Sequence, residues 1–147
     1  MTIPAYSPLS HILPRDENAL PVPKDAPDLG QLPDWDLTDL YAAPDAPELA
    51  RDLETLEKAC NDFARDFEGR LISLSPAKML ECVERYQQID VLVGRLMSYV
   101  GLRYYQNTTD AARAKQMGDL QDRITNDTTR LVFFSLEFNR IPEERYR

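Results

Sequence analysis

The sequence predicts an all-α fold, an antiparallel bundle of three long helices with room for a kink or split in the second, after a disordered proline-rich tail. Apolar residues recur at steps of three and four over most of the chain after residue 45. Residues 1–33, by contrast, hold seven of the eleven prolines. Five glycines are few for the many tight turns of an all-β protein. We therefore expect helix packed against helix.

Composition and charge exclude several classes of partner. A hydrophobic content of 43% and a charged content of 29% are ordinary for a globular protein. The net charge of −8 is uneven, since residues 1–45 hold two basic and eight acidic residues, and residues 46–147 hold fifteen and seventeen. Such a chain repels phosphate backbones, so we expect no nucleic-acid partner. We expect no membrane span, because no apolar run reaches about 18 residues.

Residues 1–33 are predicted to be a tail that precedes the folded part of the chain. Prolines in residues 1–33 remove backbone donors and disfavour helical dihedrals, so we expect a disordered, acidic, proline-rich segment. Its start lacks the basic and apolar stretches of a secretory signal, and we expect a cytoplasmic protein. His11, the only histidine, lies in this tail, and we assign it no function.

Residues 34–45 are predicted to be a segment that docks on the helical domain. Asp36 or Thr38 can cap a short turn there. A calcium loop is a poor fit, because the turn glycine and the spaced glutamate of such loops are missing. The apolar residues expected to dock are Trp35, Leu37, Leu40 and Tyr41. The aspartates considered as calcium ligands are Asp34, Asp36 and Asp39.

The first helix is predicted to run from about Ala46 to Glu68. Asp45 can cap it, Pro47 fits its first turn, and Glu48 completes a capping box. Gly69 suits a left-handed terminus. A single apolar stripe indicates packing within a bundle rather than a free coiled coil. The stripe comprises Leu49, Leu53, Leu56, Cys60, Phe63 and Phe67.

The second helix is predicted from Pro76, with Ser75 as its cap, to about Gln106. One face of its first half is predicted to carry Met79, Leu80, Val83 and Tyr86. Apolar groups from Ile89 to Tyr105 spread over several faces, and Gly94 and Gly101 allow a bend or close approach. Tyr99, Tyr104 and Tyr105 are interpreted as core residues rather than as a binding site.

The third helix is predicted from about Asp110 to Arg140, ending before Pro142. Asp127 and Thr128 interrupt its apolar spacing, and Leu131 to Phe138 are apolar on more than one face. We therefore expect surplus apolar surface, so that the isolated chain either self-associates or is a marginally stable monomer prone to non-specific contacts. The chain ends without an obvious closing element, and we expect it to be part of something longer. The residues with helical spacing are Met117, Leu120, Ile124, Leu131, Phe134, Phe138 and Ile141.

The side chains offer no catalytic constellation. Cys60 and Cys82 lie on apolar helix faces, where buried free thiols are expected rather than a disulfide. One histidine and two separated cysteines do not make a zinc site. We accordingly predict no catalytic, cofactor-binding or metal residue in this chain.

Several segments, taken in order, resemble the opening of the oligoendopeptidase F family, zinc metallopeptidases related to thimet oligopeptidase. The resemblance covers roughly residues 32–141. It is carried by the run LPDWDLTDLY, which is Leu32–Tyr41, and by four later segments. The later segments are Phe67–Leu71, Leu92–Tyr99, Tyr104–Asp110 and Phe133–Glu137.

The resemblance implies that residues 46–147 are the helical N-terminal domain of an oligoendopeptidase, forming one wall of a substrate channel. In the family, His-Glu-x-x-His holds zinc on a separate catalytic domain of the same polypeptide, which hydrolyses short peptides. That motif is not in this chain, so zinc is expected only in a full-length enzyme. The alternative is a non-catalytic helical module that holds a protein partner.

Overall fold

The computed structural model describes residues 34–145, which belong to one helical unit. Four α-helices follow one another: α1 (Pro47–Phe67), α2 (Pro76–Gln106), α3 (Ala111–Thr128) and α4 (Val132–Phe138). Short 3-10 turns lie at Leu71–Ser73, Thr129–Leu131 and Glu143–Arg145. The predicted all-α bundle is confirmed. The predicted tail, residues 1–33 with His11, lies outside the described residues.

Helix α1 has the predicted apolar stripe, and all six of its members are buried. The predicted cap was wrong. Pro47 takes the first helical position and forces extended backbone on the residue before it, so the cap falls on Ala46, which has no side-chain acceptor. Asp45 is one residue too early to cap. Glu48 forms an ion pair with Arg51 at 2.7 Å instead of a capping box.

Helix α2 is one continuous helix of 31 residues, without the split for which the glycines left room. Its cap is as predicted, since the Ser75 hydroxyl accepts a hydrogen bond from the Lys78 amide at 3.4 Å. The predicted face was partly wrong, because Leu80 and Val83 are exposed. The spacing fits two overlapping stripes, and the one that reaches the core consists of Cys82, Ile89, Leu96, Tyr99 and Val100.

The third predicted helix begins as expected, with the Asp110 carboxylate accepting from the amides of Ala112 and Arg113. It is then interrupted at Thr129–Leu131 and resumes as α4. The hydroxyls of Thr128 and Thr129 donate to carbonyls one turn back, at 2.8 and 2.7 Å, and such bonds weaken and bend helices. We call the stretch 127–132 the α3–α4 joint.

The core lies between α1, α2 and α3, and α4 closes it against the 3-10 turn after α1. One cluster of buried apolar side chains extends from Tyr41 to Ile141. Cys60 and Cys82 are both buried in it as free thiols, as predicted. Trp35 and Tyr105, both expected to pack inward, are more than half exposed. Both lie at the end of α2 that carries Gln106, where the described helices provide no further layer.

The chain leaves α1 through a left-handed residue. Gly69 has φ +74°, the conformation predicted for it. The Glu137 carboxylate of α4 accepts hydrogen bonds from the amides of Gly69 at 2.6 Å and Leu71 at 3.3 Å. The carboxylate thereby satisfies two amides that lie outside regular helix and ties α4 to the end of α1.

Gly69→Ala tests this turn. A Cβ at Gly69 would meet no atom within 4 Å, so the whole effect comes from backbone strain at positive φ. We expect a loss of about 1 kcal/mol in the free energy of unfolding, measured by urea denaturation. Gly94→Ala is the matched control, because Gly94 lies in mid-helix with equally open space and alanine there should be neutral or stabilising by up to about 1 kcal/mol. Equal effects at the two sites would contradict the strain argument.

Candidate functional site

A groove of about 290 Å³ lies between α2 and the α3–α4 joint. We call it the α2–α4 groove. Tyr86, Ile89 and Val93 form its α2 side, and Leu131 and Val132 its other side. Small-molecule sites usually have volumes of about 300–1,000 Å³. This groove is at the small end of that range, so it fits a single side chain better than a cofactor.

The polar groups of the groove are poorly suited to catalysis. The Thr128 hydroxyl donates to the Ile124 carbonyl at 2.8 Å, and the Ser135 hydroxyl donates to the Val132 carbonyl at 3.3 Å. Asp90 is the one charged residue that lines the groove, and it is exposed. No group there stands ready to activate either hydroxyl as a nucleophile. The groove therefore offers apolar contact and one carboxylate, which is the chemistry of binding rather than of reaction.

A second surface runs along α2 on the side away from the core. Leu80, Val91 and Tyr105 are 60%, 68% and 62% exposed. Their separations of 11 and 14 residues are close to whole numbers of helical turns, so the three side chains share one face. Gly94 lies on the same face, and a Cβ added there would meet no atom within 4 Å outside its own helix backbone. We call this surface the outer face of α2. Single exposed apolar residues are ordinary, but aligned ones indicate a contact surface.

Arg95 fastens residues 34–45 to the bundle. Its guanidinium donates to the Leu40 carbonyl at 2.6 Å and to the Asp52 carboxylate at 3.3 Å. It also stacks over the Tyr41 ring at 4.6 Å, and the Tyr41 hydroxyl donates to the same carboxylate at 2.7 Å. Tyr41 in turn packs edge-on against Tyr99. One cation thus joins the segment, α1 and α2.

Two glutamines hold the rest of the segment. The Gln106 amide donates to the Trp35 carbonyl at 2.8 Å, and the Gln116 amide donates to the Pro44 carbonyl at 3.2 Å. Asp36, rather than Thr38, closes the local turn, because its carboxylate accepts from the Thr38 amide and hydroxyl. Sequence reasoning missed the long-range contacts of Arg95, Gln106 and Gln116. The only signal for them in the sequence is the clustering of Arg and Gln on α2 and α3.

The two thiols are placed for packing. Burial raises the pKa of Cys60 and of Cys82 to about 11 in each case. A thiol that stays protonated at neutral pH is a weak nucleophile and a weak metal ligand. Of the three tyrosines considered on α2, Tyr99 is buried, Tyr104 is partly buried and Tyr105 is exposed. Within residues 34–145, the two thiols and Tyr99 are therefore parts of the buried core.

Tyr41→Phe tests the attachment of residues 34–45. Burial and the bond to Asp52 raise the pKa of Tyr41, so the hydroxyl remains a donor at neutral pH. Removing a bond to a charged acceptor should lower the free energy of unfolding by about 1–3 kcal/mol. Tyr105→Phe, which removes an exposed hydroxyl, should change it by less than about 0.5 kcal/mol. Thermal melts of both variants decide the matter, and indistinguishable melts would contradict the assigned role of the bond.

Among residues 34–145, His, Cys, Asp and Glu side chains form no group of three or more that could hold a metal ion. None of the helices in that range combines the length and hydropathy needed to cross a lipid bilayer. Comparison of the chain with protein-family models, curated proteins and solved structures found no match.

Proposed function

We propose that this chain is the N-terminal substrate-channel domain of a zinc-dependent, cytoplasmic oligoendopeptidase that hydrolyses short peptides. The catalytic zinc domain of the same polypeptide is its partner and lies outside this chain. The resemblance of residues 32–141 to the oligoendopeptidase F family motivates the proposal. The observation that carries it is the apolar outer face of α2, a surface that a neighbouring domain would cover.

Large apolar side chains are exposed on several elements of the chain, and a partner that covered them would gain from their burial. Complete burial of one large apolar side chain is favourable by about 1.5–3 kcal/mol. Half-burial of eight such side chains would contribute on the order of 10 kcal/mol before the entropy of association is subtracted. The eight are Trp35, Ile72, Leu80, Val83, Val91, Tyr105, Val132 and Leu136.

In this proposal the chain contributes shape and no chemistry. Helix α2, with 31 residues, is about 45 Å long at ~1.5 Å per residue, which is long enough to line a deep channel. A zinc ion supplies a Lewis acid and an activated water when it is bound. The donors in residues 34–145 do not fit that ion, so the zinc ligands are assigned to the catalytic domain. A channel wall excludes folded proteins by size and leaves short peptides as substrates.

The second candidate is a non-catalytic helical interaction module. The observation that favours it is the continuity of the core, because one buried cluster extends from Tyr41 to Ile141 without help from another chain. In that case the α2–α4 groove, apolar with one carboxylate at Asp90, would take a single apolar side chain from a protein partner. The two candidates differ in whether the outer face of α2 is permanently covered.

The first experiment asks for the catalytic partner. The gene is read beyond codon 147, and the whole reading frame and the isolated chain are purified separately. We expect a downstream His-Glu-x-x-His and zinc-dependent cleavage of a quenched fluorescent peptide by the whole protein. The isolated chain should neither cleave the peptide nor retain stoichiometric zinc after dialysis. An immediate stop codon, or a whole protein without peptidase activity, would reject the proposal.

The second experiment asks whether the outer face of α2 drives self-association of the isolated chain. Light scattering over a concentration series, with a dye for exposed apolar surface, should show self-association of the isolated chain. Val91→Asp should weaken both signals. Gln121→Asp adds the same charge at an exposed position of α3 and should leave both signals unchanged. A monomeric wild-type chain that binds no dye would favour the interaction module.

A further inference from the structure

Asp127 is a buried carboxylate without adequate partners. Only 7% of its surface is exposed, although aspartate is normally a surface residue. Its Oδ1 atom is 3.7 Å from the Arg130 guanidinium, which is beyond hydrogen-bond distance. Its Oδ2 atom is buried, and among residues 34–145 it accepts no hydrogen bond. A buried polar group in this state calls for an explanation.

Charged and titratable groups surround Asp127 from each neighbouring element. Helix α1 contributes Glu57 and Cys60, α3 contributes Arg123, and the α3–α4 joint contributes Arg130. Asp90 of α2 lines the α2–α4 groove together with Thr128, the residue after Asp127. Both arginines are nearly half exposed, so water screens them. The balance at Asp127 is therefore unfavourable to a negative charge: burial first, and then Glu57, raise its pKa above the ordinary value of 3.8.

Asp127 also lies where the third helix breaks. It is the second-last residue of α3, and the 3-10 turn Thr129–Leu131 follows that helix. A negative charge near a helix C-terminus opposes the helix dipole. Short 3-10 turns have weaker hydrogen-bond geometry than α-helix and often mark hinges. Thr128 and Leu131, which flank this point, form part of the wall of the α2–α4 groove.

We propose that the α3–α4 joint is a proton-sensitive hinge controlled by Asp127, closed against α1 when the carboxyl is neutral and loosened when it is ionised. Loosening moves the wall that carries Thr128, Leu131 and Val132, and so it changes the width of the α2–α4 groove. The hinge requires only residues 34–145. Its success or failure is therefore separate from that of the peptidase proposal.

The sign of the pH dependence follows from the direction of the shift. A carboxyl whose pKa is raised by folding stabilises the folded state fully at pH values below its unfolded pKa. That contribution is lost as the pH rises through the folded pKa. The joint should therefore be most protected at acidic pH and least protected at neutral pH. Asp127→Asn, which is neutral at every pH, should keep the joint closed throughout.

Hydrogen–deuterium exchange of the chain measures this local opening. The exchange is carried out between about pH 4 and pH 8, read by mass spectrometry, and corrected for the intrinsic exchange rate at each pH. In the wild type, protection of peptides spanning residues 124–134 should fall as the pH rises, by up to about tenfold for each unit by which the pKa is raised. Asp127→Asn should show high protection without this fall. Asp122→Asn, an exposed carboxylate on the same helix, should retain the wild-type profile.

Two results would overturn the proposal. One is corrected protection of residues 124–134 that does not vary with pH in the wild type. The other is a fall in Asp127→Asn equal to that of the wild type, which would assign the dependence to another group. If Asp127→Asn does not fold, the test compares two regions of the wild-type chain. The protection of residues 124–134 should vary with pH, whereas that of α1 peptides should not.

Discussion

The bundle depends on the ring of Phe63, which is fully buried. It contacts Phe67 on its own helix, Tyr86 on α2, and Phe133 and Phe134 on α4, with ring centroids 5.0–5.8 Å apart. Such tilted and edge-on pairs each contribute about 0.5–1.5 kcal/mol beyond the area they bury. One side chain on α1 thus fixes the distances to two other helices.

Helix α4 shows what this constraint achieves. With seven residues it is far too short to be stable as an isolated helix. Stacking of Phe134 on Tyr86 at 4.2 Å holds one side of it, and the Glu137 bonds to the amides after α1 hold its end. A straight continuation of α3 would carry these groups away from α1, so the break at Thr129–Leu131 is what lets α4 make these contacts. The cost of that break is the poorly partnered carboxylate of Asp127.

Sequence reasoning found what is local or periodic. The stripe of α1, the Ser75 cap and the positive φ of Gly69 each follow from one segment and its neighbours. It failed where two stripes overlap, as on α2, since an apolar pattern on several faces does not say which face is inside. It also could not find contacts such as Arg95 to Leu40, because partners 55 residues apart leave no signal in a single sequence. The interruption at Asp127 was visible, but its burial was not.

The two candidate surfaces adjoin each other on α2. At about 100° per residue, the groove residues Tyr86 and Asp90 and the outer-face residue Val91 occupy different sectors of the helix, and exposed Val83 lies between them. A single covering layer could therefore contact both surfaces. The solvent sides of α1 and α3 carry short-range ion pairs, such as Lys58 with Asp62 and Lys115 with Asp119, and α2 carries one such pair in its first turns, between Lys78 and Glu81. What distinguishes α2 is the row of exposed apolar side chains at Leu80, Val91 and Tyr105, and this row is what motivates the proposal of a partner along α2.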